Sequence, residues 1–173
     1  MSKVVKQTND VFISEADQYV FGQGTHYEIY KKLGAHMCTH DGKDGVFFAV
    51  WAPNAQDVYV IGEFNGWNET SNKMERIGEG GIYTTFIENV SEGQMYKYLI
   101  ELADGRKLYK ADPYANYAEL RPGTASRVYD LNHFEWNDSK WMTAREKKDM
   151  NKEPLAIYEC HIGSWMKHPD GTE

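Results

Sequence analysis

The chain has 173 residues, of which 41% are hydrophobic, 14% aromatic and 26% charged. This composition is too apolar for a disordered protein, and the length allows one complete domain plus a fragment but no large catalytic barrel. With 19 basic and 26 acidic residues the net charge is −7, which argues against electrostatic binding to nucleic acid or to an anionic membrane. Neutral ligands are left as the plausible partners.

The two cysteines, Cys38 and Cys160, lie far apart and form neither a CxxC motif nor a cluster with histidines. This spacing supports neither a disulfide framework nor a zinc site, and we expect no metal and no cofactor. The first residues lack the apolar segment of a signal peptide, and no stretch approaches the ~18 apolar residues of a membrane span. We therefore expect a cytoplasmic protein with reduced thiols.

The first elements along the chain are predicted to be helical. Ser14 is followed three residues later by Asp17, and Thr25 by Glu28, which are two spacings typical of helix starts. Gly34 is placed to end the second segment. The sequence therefore predicts short helices in an N-terminal extension over residues 1–44.

From Val46 to Trp51 the apolar pattern changes to a period of two, which indicates a strand. Similar runs follow, separated by glycine-rich turns and without helical periodicity between them. Such a series predicts an antiparallel β-sandwich, with a domain over residues 45–134. The further predicted strands are 58–61, 82–87, 95–102, 107–109 and 127–131.

Residues 135–154 are strongly charged and are predicted to form a linker or a short solvated helix. The run 155–162, LAIYECHI, is apolar again and is predicted to be a strand. Since no further strand follows it before residue 173, we expect it to be the first element of a second domain that is cut short. On this interpretation the sequence is a fragment of a longer protein.

No pattern of nucleophile, base and orienting group is present, nor a glycine-rich phosphate loop or a metalloprotease motif. Asp112 and Glu119 lie near a turn, and turn or capping roles are favoured over a catalytic carboxylate pair because nothing fixes the two at a working distance. His161 is expected to be packed or hydrogen-bonded rather than a metal ligand. We therefore predict no catalytic residue.

Three other residues are candidates for ligand binding. Trp67 lies in a turn rich in glycine and asparagine, where its ring either stacks on a sugar or packs against a neighbouring domain. Lys97 alternates with apolar residues in MYKYLIEL, so its amine either reaches a ligand hydroxyl or simply extends to solvent. Thr124, with Arg121 and Ser126 nearby, either binds a ligand or stabilises its own turn. The pattern alone leaves these alternatives open.

Several longer segments resemble a known family. They are FAVWAPNAQDVYVIGEFNGWN (48–68), YKADPYANYAELRPGTASRVYD (109–130) and IYECHIGSW (157–165). Together they are similar to the N-terminal part of bacterial glycogen branching enzymes, the 1,4-α-glucan branching enzymes of the α-amylase superfamily. The similarity covers nearly the whole chain, and the motifs KADPYA, RPGTAS and YECHIGSW carry more of its specificity than FNGW.

The resemblance implies that the sandwich is an immunoglobulin-like carbohydrate-binding module and that residues 155–173 begin a (β/α)8 catalytic barrel. It implies α-1,4-glucan, as glycogen or maltooligosaccharides, and the remaining barrel of the same chain as partners. Enzymes of this family cleave an α-1,4 bond and transfer the released chain to a 6-hydroxyl through a covalent glycosyl-enzyme intermediate. Because none of the family's catalytic Asp and Glu motifs lies within residues 1–173, we expect this segment to be inactive alone.

In related sandwiches, glucan contacts come from an indole after FN, a lysine in the YK strand and a threonine in the later GT turn. The resemblance therefore implies Trp67, Lys97 and Thr124 as glycan-binding candidates. The relatives carry a second tryptophan after the turn that corresponds to Asp104-Gly105, whereas this chain has Arg-Lys-Leu at residues 106–108. The loss of one stacking platform predicts weak or absent binding.

Three alternatives to a branching-enzyme segment stay open. The chain could be a free-standing α-glucan-binding module, although the run 155–162 would then have no purpose. It could be a purely structural domain in which Trp67 packs on the barrel and never contacts sugar. It could also belong to another member of the superfamily, such as an isoamylase, which the segments KADPYA and RPGTAS argue against.

Overall fold

The computed structural model describes residues 11–149 and 151–171, and the chain divides into two compact units, 1–134 and 135–173. In the first unit one α-helix precedes a series of strands. The helix α1 is Glu15–Gly22, and the strands are β1 Gly34–His40, β2 Lys43–Trp51, β3 Ala55–Gly62, β4 Glu75–Ile77, β5 Ile82–Glu88, β6 Met95–Leu102, β7 Lys107–Lys110, β8 Tyr117–Ala118 and β9 Ser126–Arg127. Short 3-10 turns lie at Ile29–Lys31, Glu63–Asn65 and Leu131–His133.

The strands form two antiparallel sheets, which confirms the predicted sandwich class. In the first sheet the order is β1-β2-β5-β4, and in the second it is β3-β6-β9-β8. Strand β3 pairs along one edge of β6, while β9 and β7 share the other edge, β9 at Met95 and Tyr96 and β7 from Tyr98 to Glu101. Strand β6 is therefore the central element on which the second sheet is built.

The core explains why the middle of β2 is apolar on both faces. Val46, Phe48 and Val50 belong to the cluster between the two sheets, whereas Phe47 and Ala49 belong to a second cluster with residues that precede β1. All five side chains are buried. The N-terminal segment thus covers the outer face of the first sheet. Without it, the apolar side chains on that face would be exposed to water.

The N-terminal helix is confirmed, and the second predicted helix is wrong. Ser14 caps α1 in a capping box with Asp17, as the spacing predicted. Around Glu28 only the 3-10 turn Ile29–Lys31 forms, and Gly34, with φ of 112°, begins β1 instead of ending a helix. The sheet therefore starts within the predicted helical extension 1–44, of which residues 1–10 lie outside the described residues.

Asp17 connects the helix cap to charged neighbours. Its carboxylate accepts hydrogen bonds from the backbone N–H and hydroxyl of Ser14, lies 2.8 Å from Nε2 of His26 and is 3.6 Å from the ammonium of Lys32. Burial raises the pKa of Asp17, but the bonds to Ser14, the bond to His26 and the charge of Lys32 together lower it well below its ordinary value. The folded state therefore favours the ionised carboxyl.

We expect Asp17→Asn to lower the free energy of unfolding by about 1–2 kcal/mol at neutral pH, because it removes charge-assisted bonds at the cap. Since the folded pKa lies below the unfolded value of about 3.9, this contribution is complete above that pH and is lost as the pH falls through the folded pKa. Urea unfolding of both proteins from pH 7 to pH 3 measures the difference. The difference in unfolding free energy between the two proteins should become smaller only toward pH 3.

Asp41→Asn is the matched control, because Asp41 is exposed and its positive φ of 49° suits asparagine equally well. We expect this variant to change the unfolding free energy by no more than about 0.5 kcal/mol. Equal losses in the two variants, or a loss at Asp17 that does not change with pH, would contradict the role of its carboxylate.

Most predicted strands are confirmed, and three strands were missed. Strand β6 has the predicted bounds, and β2, β3, β5 and β7 extend the predicted runs by a few residues. The strand predicted over 127–131 is wrong in length, since only Ser126–Arg127 pair and a 3-10 turn follows. The strands that sequence analysis missed are β1, β4 and β8.

The second unit contains two helices, α2 Ser139–Glu146 and α3 Ile162–Trp165. Helix α2 confirms the short helix predicted for the charged segment. The strand predicted over 155–162 is not formed: residues 155–161 have no regular secondary structure, and α3 begins at 162. An apolar run becomes a strand only where another strand pairs with it, and the described residues of this unit offer none. Residues 172 and 173 of the predicted barrel start lie outside the described residues.

Candidate functional site

The turn after β3 holds Trp67 in a fixed place. Its backbone N–H donates to the carbonyl of Gly62 at 2.8 Å. Asn65 braces the same turn, since its amide donates to the carbonyl of Val60 and to the side chain of Asn72, and its oxygen accepts from the N–H of Gly62. The indole is 38% exposed. A well-anchored loop therefore presents an aromatic side chain that water reaches.

The structure brings Lys97 and Thr124 together. The ammonium of Lys97 donates to the hydroxyl of Thr124 at 2.8 Å, although the residues are 27 positions apart. Lys97 lies opposite Ile61 in the β3–β6 ladder, and the next pair is Gly62 with Tyr96. Because Gly62 anchors the turn of Trp67, this turn begins next to the residue that precedes Lys97 on β6.

The loop that carries Thr124 is closed by Glu119. The backbone N–H and the side chain of Glu119 bond the backbone of Ala125, which joins the two ends of the loop. A Cβ at Gly123 would collide with the Glu119 carboxylate, so a larger residue there would have to displace this side chain. Glu119 therefore has the turn role predicted for it, and it holds Thr124 beside Lys97.

Sequence analysis missed Tyr109 and Glu69. Tyr109 lies opposite Leu99 in the β6–β7 ladder. Lys97 precedes Leu99 by two residues on β6, so Tyr109 and Lys97 share one face of the sheet. Its ring is 50% exposed, and its hydroxyl donates to the carboxylate of Glu69, two residues after Trp67. The other Glu69 oxygen accepts from Lys107 at 2.8 Å. These bonds fasten the Trp67 loop to β7.

Hydrogen bonds and nearby charges determine the protonation states of Glu69, Tyr109 and Lys107. Hydrogen bonds from Lys107 and Tyr109 lower the pKa of Glu69, and the bond to Glu69 raises the pKa of Tyr109. Lys107 also lies 3.3 Å from Glu101, and its bonds to the two carboxylates raise its own pKa. At neutral pH Glu69 is therefore an acceptor and Tyr109 a donor, with the ring face of Tyr109 left to solvent.

The residues after Asp104-Gly105 do not supply a second indole. Arg106 folds back on Asp104 at 2.7 Å, and Lys107 is engaged with Glu69 and Glu101. The aromatic residue of this segment is Tyr109, the third residue of KLYK. The alternation within KLYK could have indicated it, because Lys107 and Tyr109 must share one face of β7.

Asp112 takes a structural role, because it is buried and its carboxylate accepts hydrogen bonds from two tyrosine hydroxyls. His161 is exposed, so the prediction that it packs against the protein is wrong. Among the described residues no group of three or more metal-ligating side chains comes together, and Cys38 and Cys160 carry free thiols. The helices within the described ranges are all too short or too polar to cross a membrane.

The candidate site thus consists of Trp67, Lys97, Tyr109, Thr124 and Glu69. Two partly exposed aromatic rings offer flat apolar surface, while an ammonium, hydroxyls and a carboxylate offer donors and acceptors. This combination suits a neutral polyhydroxy ligand, since a pyranose has one apolar face and a rim of hydroxyls. The fold and site together define a class: a β-sandwich with a surface suited to carbohydrate.

Comparison with known families agrees with this class. Residues 32–115 match the family described as carbohydrate-binding module 48 (isoamylase N-terminal domain). The matched range contains Trp67, Lys97 and Tyr109, and Thr124 lies just beyond it. Its start at residue 32 agrees with the observed β1 rather than with the predicted boundary at 45.

The particular relatives are branching enzymes. The chain is 67% identical over 163 residues to the 1,4-alpha-glucan branching enzyme GlgB of Butyrivibrio fibrisolvens, covering 94% of this chain and 26% of that protein. It is 49% identical over 162 residues to GlgB of Halothermothrix orenii, covering 94% and 26%. The chain is thus homologous to one segment of these enzymes and spans about a quarter of their length. A solved structure of a pullulanase from Bacillus acidopullulyticus is also similar, at 24% identity and a TM-score of 0.47, covering 58% of this chain and 12% of that one.

Proposed function

We propose that this chain is the non-catalytic, α-glucan-binding segment of a 1,4-α-glucan branching enzyme. The observation that carries the proposal is the bond between Lys97 and Thr124, on a sandwich that also presents the partly exposed ring of Trp67. Tyr109 supplies a second ring on the same face as Lys97, and Glu69 keeps it in place. The ligand would lie across these rings and exchange hydrogen bonds with the polar groups between them.

The proposed whole enzyme would cleave α-1,4-glucan chains and transfer them to 6-hydroxyls with retention of configuration. That reaction needs two carboxylates in one site, one as nucleophile and one as acid and base. The family's motifs for these residues are absent from residues 1–173, so the segment itself would be inactive and would deliver glucan to a barrel beginning near residue 155. The free thiols fit the cytoplasm, which is the proposed location.

Trp67→Ala is expected to weaken the binding of maltoheptaose. Removing one stacking ring from a sugar site should cost about 1–3 kcal/mol by analogy with other aromatic stacking, which raises the Kd between about fivefold and more than a hundredfold. Titration of the 173-residue chain with maltoheptaose, followed by amide chemical shifts, measures both affinities. In the unaltered chain the shifting amides should include those of Lys97 and Thr124.

Trp141→Ala is the matched control, because Trp141 is an exposed tryptophan on α2 in the other unit. Its removal should leave the affinity for maltoheptaose unchanged. If the chain shows no saturable shifts at millimolar sugar, or if both tryptophan variants bind like the original, the proposed glucan site is refuted.

A purely structural domain is the second candidate function. The observation that favours it is that Thr124 already accepts a hydrogen bond from the ammonium of Lys97, so each group has a partner within the protein. Under this alternative the titration gives no response, and Trp67→Ala changes only the stability of the fold. A free-standing module would instead bind glucan as proposed, and only chain beyond residue 173 separates it from an enzyme segment.

A further inference from the structure

Asp112 is a buried carboxyl group with an unusual set of partners. The side chain is 6% exposed. One oxygen accepts hydrogen bonds from the hydroxyls of Tyr96 at 2.7 Å and Tyr98 at 3.1 Å, and the other accepts from the backbone N–H of Tyr114 at 2.8 Å. Its own N–H donates to the hydroxyl of Ser126 at 2.8 Å. Asp112 thereby joins β6, the segment after β7, and β9.

The partners of Asp112 flank the candidate site in sequence. Tyr96 and Tyr98 are the two neighbours of Lys97 on β6, and they point into the core while Lys97 points to the opposite face. Ser126 pairs with Tyr96 across the β6–β9 ladder and follows Thr124 by two residues. The same strands that Asp112 ties together inside the sandwich therefore present Lys97 and Thr124 outside it.

We propose that Asp112 is a positioning residue for the glucan site, an inference that rests on the proposed function. It holds β6 and β9 in the register that places the Lys97 ammonium within 2.8 Å of the Thr124 hydroxyl. The bond between those two residues fixes the donors that a sugar would meet. Asp112 itself never contacts the ligand.

The hydrogen bonds of the buried Asp112 carboxyl favour a rigid arrangement of the strands that they join. Burial raises the pKa of Asp112, and the bonds from Tyr96, Tyr114 and Tyr98 oppose that effect. A buried carboxyl whose bonds all come from fixed groups allows few arrangements, because each lost partner leaves a polar atom without compensation. Loosening the network should therefore move the strands rather than one side chain.

Tyr96→Phe and Asp112→Asn test the proposal against Tyr83→Phe. Tyr83 is the matched control: it is equally buried in the same cluster, and its hydroxyl donates to the carbonyl of Ala55, which is not part of the site. We expect the Kd for maltoheptaose to rise about fivefold or more in the two test variants and to stay unchanged in the control. All three should lose stability, so stability alone does not separate them.

A double-mutant cycle asks whether Asp112 acts through Thr124. If it does, Asp112→Asn should weaken binding much less in a Thr124→Val background than in the original chain, because the bond to Lys97 is already absent. Additive losses in the cycle, or an affinity loss in Tyr83→Phe equal to that in Tyr96→Phe, would overturn the positioning role.

Hydrogen exchange gives a readout that needs no sugar. The N–H of Ala125 is bonded to Glu119 in the loop that carries Thr124. In Tyr96→Phe this amide should exchange faster relative to the amides of β2, whereas Tyr83→Phe should speed both groups alike. A chain that fails to bind maltoheptaose refutes the proposed function, and unchanged relative exchange at Ala125 refutes the positioning role.

Discussion

Phe48→Ala is expected to lower the free energy of unfolding by about 3–5 kcal/mol, the range for removing a large ring from a packed core. Phe48 is fully buried at the centre of β2, and its ring packs 5.1 Å from that of Tyr96 and 5.8 Å from that of Phe64. The cavity would open between the two sheets, where the neighbouring strands are too constrained to close it. Urea or thermal unfolding followed by circular dichroism measures the loss.

Phe134→Ala provides the comparison, because the same ring is removed from a position that is largely exposed. We expect its effect to stay within about 1 kcal/mol. A loss at Phe48 no larger than this would show that the contact between the sheets does not determine stability. Because Phe48 contacts Tyr96, the variant should also bind glucan more weakly under conditions in which it is still folded.

The strands that the sequence predicted well are those with a strong local pattern. In β6, Tyr96 and Tyr98 face the core while Lys97 faces outward, so alternation indicates the element although Leu99 is also buried. In β2 the apolar residues continue on both faces, because a second cluster covers the outer side. The strand is still predicted correctly although both of its faces are apolar, since β-branched and aromatic residues dominate the run.

The missed strands depend on partners rather than on their own residues. Strand β1, GAHMCTH, carries polar residues at both parities and forms because β2 pairs along its full length. Strand β8 has only two residues, and its partner β9 lies beyond an intervening loop. The run 155–162 shows the converse, since a favourable pattern without a partner remains unpaired.

Part of the site could be predicted from resemblance and part could not. The motifs placed Trp67, Lys97 and Thr124, and the structure brings the last two into hydrogen-bond contact. The pair of Glu69 with Tyr109 spans 40 positions, so no local pattern connects them. The segment after the Asp104-Gly105 turn has no tryptophan, but its Tyr109 lies on the same face of the sheet as Lys97.

Gly62→Ala is expected to cost about 1–3 kcal/mol and to weaken glucan binding together with stability. The backbone of Gly62 is extended, with φ of −175°, so alanine could adopt its conformation without strain. The obstacle is space: a Cβ would collide with the carbonyl of Met95 and would lie 2.7 Å from the ring of Phe64. Relieving both contacts must move the start of the turn whose Trp67 N–H is bonded to the Gly62 carbonyl.

Gly80→Ala separates this steric effect from the general cost of replacing glycine, since a Cβ there meets no atom within 4 Å. We expect that variant to keep both its stability and its affinity for maltoheptaose. Unfolding and titration of the two proteins under the same conditions give the comparison. If Gly62→Ala loses stability yet binds sugar as the original chain does, the Trp67 turn can shift without consequence, and the ring's fixed position would not be what makes this face a glucan site.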